Sequence, residues 1–308
     1  MTIAVPARAR PRAEVRRRGR GWLPWLLIAP SVILLAALIA YPLLFALKNS
    51  FYFWNLQTSP VPLQFVGLAN YRLVLDGPEF WPSLWNTVVL SVGGTAIEFA
   101  LGLAVALLLA NRLPGMSLSR ALLIMPTTIA PIVVGFLWRY MYDPSGGLAT
   151  WLLDSVGLPP PATGLLGSQA TALLAILVAD VWQWTPFFAI VLYAALLGVA
   201  PEIVEAARLD GASSWTILRR IKLPLIMKTA AIVLILRFMQ LFNTFDLVLV
   251  LTRGGPGTSS RTLGYTLYQQ GLVDFNIGIA SATTWLIVLI VNAIVGLYAF
   301  VAFRNWEW

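Results

Sequence analysis

Residues 205–224 read EAARLDGASSWTILRRIKLP. Pro201 lies just ahead, and proline suits the first turn of a helix, where its missing N–H costs nothing. Glu202 and Glu205 place negative charge near the positive end of that helix. Ala206, Ala207 and Leu209 continue it. Asp210-Gly211 is a turn signal, because glycine adopts the backbone angles that close a helix. Ser213 or Ser214 then caps a second short helix carrying Trp215, Ile217 and Leu218. Arg219, Arg220 and Lys222 suit its C-terminal end, and Pro224 opens whatever follows. The spacing predicts a short helix, a sharp glycine turn and a second helix. The stretch is too charged to cross a bilayer, and its pattern is too regular for a connector.

Its surroundings are of another kind. Of 308 residues, 59% are hydrophobic and only 11% charged. A soluble domain carries about 25% charged residues. This apolar excess needs lipid to cover it. There is no Cys and no His. That excludes disulfides, thiolate metal sites and cysteine nucleophiles, and it removes the usual general base near neutral pH. No Gly-x-x-x-x-Gly-Lys-Ser/Thr phosphate loop occurs, so ATP hydrolysis by this chain is not expected. No catalytic residue and no metal site is assigned.

Six apolar runs are long enough to span a bilayer. They lie near residues 22–47, 84–110, 118–142, 170–198, 224–251 and 279–303. The first is too long for a signal peptide and lacks a small-residue cleavage site, so it reads as a retained helix. Ahead of it, residues 1–21 form a basic arm, with seven Arg against Glu14. An arm running straight into an apolar span reads as an anchor on anionic lipid, not as a nucleic-acid ligand. Positive charge faces the cytoplasm. With the N-terminus inside, inner segments hold fifteen Lys or Arg and outer segments five: Lys48, Arg72, Arg139, Arg253 and Arg261. Both termini and residues 201–223 are then cytoplasmic. The outer loops are rich in Gly, Pro and aromatics, which suits ordered irregular loops or short interfacial helices. Trp22, Trp25, Trp54, Trp81, Trp85, Trp138, Trp306 and Trp308 fall near span ends, as an aromatic belt would.

Glu205-Ala206-Ala207, three residues, Gly211, nine residues, then Ile221-x-Leu223-Pro224 resembles, without a gap, the EAA loop of ABC importer permeases. FVGLANY (65–71), SLWNTVVLS (83–91), RALLIMPTTIAPIVVGFLW (120–138) and LTRGGPGTSSRTLGYTLYQQ (251–270) are similar to the maltose-type, carbohydrate-uptake branch. The resemblance covers nearly everything after residue 22. It implies an all-α integral membrane protein with six transmembrane helices and a cytoplasmic EAA loop, the type I importer permease fold. Residues 22–308 would be one permease domain in a prokaryotic inner membrane. The coupling residues would be Glu205, Ala206, Ala207, Asp210, Gly211, Ile221, Leu223 and Pro224, docked on a cytoplasmic ATPase. The implied partners are a second, similar permease, a pair of ATPase subunits that bind the ATP and Mg, and an extracytoplasmic solute-binding protein. The alternative for this stretch, from the residues alone, is an amphipathic element lying on lipid.

Ionisable side chains at membrane depth are costly and default to function. Glu98, Asp180, Arg237 and Asp246 are the four. Asp180, Trp184 and Phe187 share a helix face, with Gln183 beside them. Pro186 is expected to loosen that helix and free carbonyls. Arg237, Gln240 and Thr244 share a face of the next span, with Asn243 adjacent. Carboxylate, amide and aromatic ring together suit a sugar. The maltose-type pocket, counted from the loop, falls on Gln183, Trp184, Phe187, Arg237, Leu241 and Thr244. The other reading of Asp180 and Arg237 is an ion pair that only braces helices. Glu98 reads as structural, Asn86 as a cap or brace of span two, and Asp246 as facing a gate or the partner. An Arg237 grip on an anion such as glycerol phosphate is a further alternative. Ion-driven secondary transport and intramembrane catalysis are the competing classes. The loop signature weighs against both.

Overall fold

The computed structural model describes residues 22–110 and 116–304. The basic arm, Arg112, Trp306 and Trp308 lie outside them. Two units are present, residues 1–46 and 47–308. The first consists of most of helix α1 (Leu23–Asn49), which is apolar up to Lys48 in its last turn and carries Pro30 and Pro42.

The second unit begins with a two-residue antiparallel ribbon, β1 (Tyr52–Phe53) with β2 (Gln64–Phe65), and helix α2 (Ala69–Asp76). Then follow α3 (Phe80–Leu109), α4 (Met116–Thr128), α5 (Pro131–Met141), α6 (Leu148–Ser155), α7 (Gly164–Gly167) and α8 (Ala172–Leu197). The charged stretch supplies α9 (Pro201–Leu209) and α10 (Ser214–Ile217). Helix α11 (Leu223–Phe242), α12 (Asp246–Leu251), α13 (Leu263–Tyr268) and α14 (Ile277–Phe303) complete the chain. Among the described residues five helices are long and apolar enough to cross a membrane, and six spans result if the bent α4–α5 pair counts as one. The all-α membrane architecture expected from the sequence is therefore the one observed.

Two spans differ from their expected form. The run at 118–142 is not one helix. It bends by 107° between α4 and α5. Ala130 precedes Pro131 and is extended (φ −59°, ψ 137°), the conformation that a following proline ring enforces. The run at 224–251 starts earlier and breaks at residues 243–245, between α11 and α12. No proline marks that break. The freed Thr244 carbonyl instead accepts the Thr262 hydroxyl at 3.0 Å. A Cβ on Gly264 would stand 2.8 Å from that same carbonyl, so glycine there admits the broken backbone. Conversely, α8 runs unbroken through Pro186. Neighbouring helices hold a proline-containing span straight in lipid.

The core is the crossing of α3, α8 and α11. Without a hydrophobic drive between helices in lipid, small residues let backbones approach and pack. A Cβ on Gly102 would strike the Cβ of Phe188 and stand 3.0 Å from the Ala189 nitrogen. Gly102→Leu is expected to destabilise by about 1–3 kcal/mol, the range for overpacking. A lower melting temperature of the purified complex is the check. Not every tryptophan belongs to a belt: Trp22, Trp25, Trp81 and Trp85 are exposed, while Trp54 and Trp138 are buried. Trp54 donates to the Ser59 carbonyl at 3.1 Å, and Trp138 packs on Tyr142 and Trp182.

Candidate functional site

Three of the four charges at membrane depth meet. Arg237 on α11 is 2% exposed, Asp180 on α8 3%, and Glu98 on α3 0%. Arg237 Nε and Nη2 donate to the two Glu98 oxygens at 2.7 and 2.8 Å, fork to fork. Nη2 also donates to Asp180 Oδ2. Nη1 donates to Gln240 Oε1 at 3.2 Å. The guanidinium carbon sits 4.6 Å from the centroid of the Trp184 ring. One arginine thus ties the three core helices together. A buried charge survives only when paired and hydrogen-bonded, and these partners meet that condition.

The Asp180–Arg237 pair is the bracing pair that one reading of the sequence anticipated. Glu98 is structural, as its sequence reading has it, and is the main partner of Arg237. Arg237 is paired here with both carboxylates.

The remaining candidates divide. Trp184 is half-buried and meets Phe187 edge to face at 6.2 Å. Gln240 is exposed. Leu241 is buried, and its Cδ2 stands where a Cβ on Gly94 would go, 2.6 Å away. Gln183 is buried too, and its amide donates to the Ile129 carbonyl at 2.8 Å. That carbonyl lies at the α4–α5 bend, so the Gln183 amide N–H braces the bend, while its Oε1 has no partner among the described residues. Asn243 is exposed, with its amide on the Met239 carbonyl, and Thr244 belongs to the α11–α12 break. Asp246 opens α12. Asn86 is the brace expected of it, donating to the carbonyls of Thr258 and Arg261 at 2.8 and 3.0 Å. An apolar recess of about 570 Å³ lies elsewhere, between α4, α8 and α3, and is lined by Leu122, Pro126, Leu177, Val181 and Trp182. Its lining suits lipid or a helix, not a sugar.

The loop between α8 and α11 has the form its residues dictate. Pro201 opens α9, with Glu202 in the first turn and Arg208 in the last. Gly211 has φ +80°. Its N–H donates to the Arg208 carbonyl at 3.0 Å, and the Ala212 N–H to the Ala207 carbonyl at 2.9 Å. This 5→2 and 6→1 pairing is the Schellman closure, and it needs a left-handed residue at Gly211. Ser213 caps α10 by accepting from the Thr216 N–H at 3.2 Å. A π-helical turn, Leu218–Lys222, carries Ile221 and runs without a break into α11. Leu223 and Pro224 form the first turn of α11. Glu205, Ala206, Leu209, Asp210 and Gly211 are exposed, and so is Trp215.

Residues 98–305 match the model of the binding-protein-dependent transport system inner membrane component. The chain belongs to this family. It is an inner-membrane, multi-pass transport permease. Among its relatives is the trehalose/maltose transport system permease protein MalF of Thermococcus litoralis, 40% identical over 229 residues (73% of this chain, 76% of the relative). The trehalose transport system permease protein SugA of Mycobacterium tuberculosis is 35% identical over 285 residues (92% and 88%). The permease also superposes on a chain of a bacterial alginate ABC transporter, solved with an alginate pentasaccharide-bound periplasmic protein. That match has a TM-score of 0.78 and 22% identity, covering 92% of this chain and 95% of the other. At that identity the likeness carries the fold.

Proposed function

We infer that this permease is one transmembrane subunit of an ATP-driven ABC importer for a neutral sugar or sugar-like solute. The observation that carries the cargo class is the 35% identity to a trehalose permease across 92% of the chain. The commitment of Arg237 to two carboxylates supports a neutral solute over a phosphate ester. Trp184, Phe187 and Gln240 would face the solute, a ring for its C–H face and an amide for its oxygens. A second, similar permease would complete the pathway. A pair of cytoplasmic ATPase subunits would bind and hydrolyse ATP with Mg, and an extracytoplasmic protein would deliver the solute. Both termini would be cytoplasmic.

The coupling route follows from connectivity. Three residues join α8 to α9, and the π-helical turn joins α10 to α11. Closure of the ATPases would shift the exposed loop, including Glu205, Ala206, Ala207, Asp210 and Gly211. That shift passes into α8 and α11 together, and the Arg237 cluster carries α3 with them. The pathway would then open alternately to each side. ATPase activity of the complex with its binding protein, in nanodiscs, is the test. Stimulation by trehalose, maltose or another neutral sugar is expected. Stimulation by glycerol phosphate alone would overturn the neutral-solute reading.

A further inference from the structure

Arg237 is held most firmly by a residue that touches no solute in any reading of the site. Glu98 is fully buried on α3 and meets Arg237 with both oxygens, at 2.7 and 2.8 Å. Two parallel bonds fix a guanidinium plane in a way that one bond cannot. Asp180 meets the same group through one oxygen only. Once the plane is fixed, two further placements follow. Nη1 is aimed at the Gln240 carbonyl oxygen, 3.2 Å away. The guanidinium carbon lies over the Trp184 ring, 4.6 Å from its centroid. Gln240 is exposed and Trp184 is half-exposed. With its carbonyl spent on Arg237, the Gln240 amide presents its N–H pair outward. An N–H pair beside a ring takes a ligand with an acceptor oxygen and an adjoining C–H face.

We propose that Glu98 is a positioning residue for solute selection. It orients Arg237, and through Arg237 it orients the amide of Gln240 and the ring of Trp184 toward the passing sugar. The chain of action runs from α3, which lines no part of the candidate pocket, to α8 and α11. This proposal rests on the sugar-importer reading above.

A bracing role and a positioning role make different demands. Bracing affects every solute alike. Positioning changes the choice between solutes. The readout is the ratio of trehalose to maltose uptake by proteoliposomes containing the whole complex, with one binding-protein preparation throughout. Glu98→Gln keeps the volume of the side chain, and Asp180 still neutralises Arg237. Gln240→Ala removes an exposed amide and the acceptor of the Arg237 Nη1 bond, and leaves both carboxylate pairs in place. Each is expected to shift the ratio by about fivefold, in the same direction, the worth of a typical hydrogen bond. The double variant is expected to shift it by less than the product of the two single effects, because both act in part on one contact. Glu98→Asp, which keeps the charge, is expected to recover part of the wild-type ratio. A ratio that stays fixed while both uptakes fall together would overturn the proposal. So would single effects that multiply in the double variant. Wild-type vesicles that take up neither sugar contradict the sugar reading and this proposal together, a result distinct from a fixed ratio.

Discussion

Arg237→Ala is expected to remove the permease from the assembled complex. The substitution leaves Glu98 and Asp180, both nearly inaccessible, with no cation between them. Removing one partner of a buried ion pair costs about 3–5 kcal/mol, because the other charge stays buried and uncompensated. Here two charges are stranded, and membrane proteins have no more margin than the usual 5–15 kcal/mol to lose. The measurement is the yield of complex after solubilisation and size exclusion. A control separates charge from shape. Glu98→Met, Asp180→Leu and Arg237→Met together replace the cluster by apolar side chains of similar size, which is often neutral or stabilising. Assembly is expected to return in the triple variant. Uptake is not expected to return, because Gln240 and Trp184 have lost the group that orients them. Normal yield of Arg237→Ala would show that the three helices do not depend on this knot.

Gly211→Val is expected to leave the complex assembled and its uptake abolished. Gly211 has φ +80°, and nothing stands within 4 Å of the place its Cβ would take. The substitution therefore clashes with nothing. Its cost is conformational, about 1–2 kcal/mol for an L-residue in the left-handed region, and more for a β-branched one. That is too little to unfold the protein and enough to open the Schellman turn between α9 and α10. If the loop transmits ATPase closure, its shape is what transmits it. Gly157 provides the matched control, with φ +77° and equally open surroundings in a different loop. Gly157→Val carries the same strain, and uptake is expected to survive. Equal loss in both variants would mean that loop strain anywhere disables transport, and that Gly211 has no special part in coupling.

What could be read in the sequence, and what could not, follows from the range of the interactions. The glycine turn depends on neighbours within six residues, so Pro201, Gly211 and Ser213 announce it. The spans depend on apolar length, and all six were visible. The bend of the third span was written in Pro131, whose effect on Ala130 is local, yet hydropathy alone reads across it. The break at residues 243–245 was not legible. Its stabilising partners, Thr262 and Gly264, lie about twenty residues away and meet it only in the fold. The structural role read for Glu98 holds, but its partner was not legible for the same reason. Its sequence neighbours are small and apolar, while its partner is 139 residues distant. Gln183 matched a pocket position by count, but the bond from its amide N–H to the Ile129 carbonyl was not legible, because only the fold brings the two together.

The most direct test of the account is ATP-driven uptake of trehalose into proteoliposomes containing this permease, its partner permease and the ATPase pair, with the binding protein outside. Accumulation that requires both ATP and the binding protein is the expected result. Accumulation that proceeds without ATP, driven by an ion gradient alone, would contradict it.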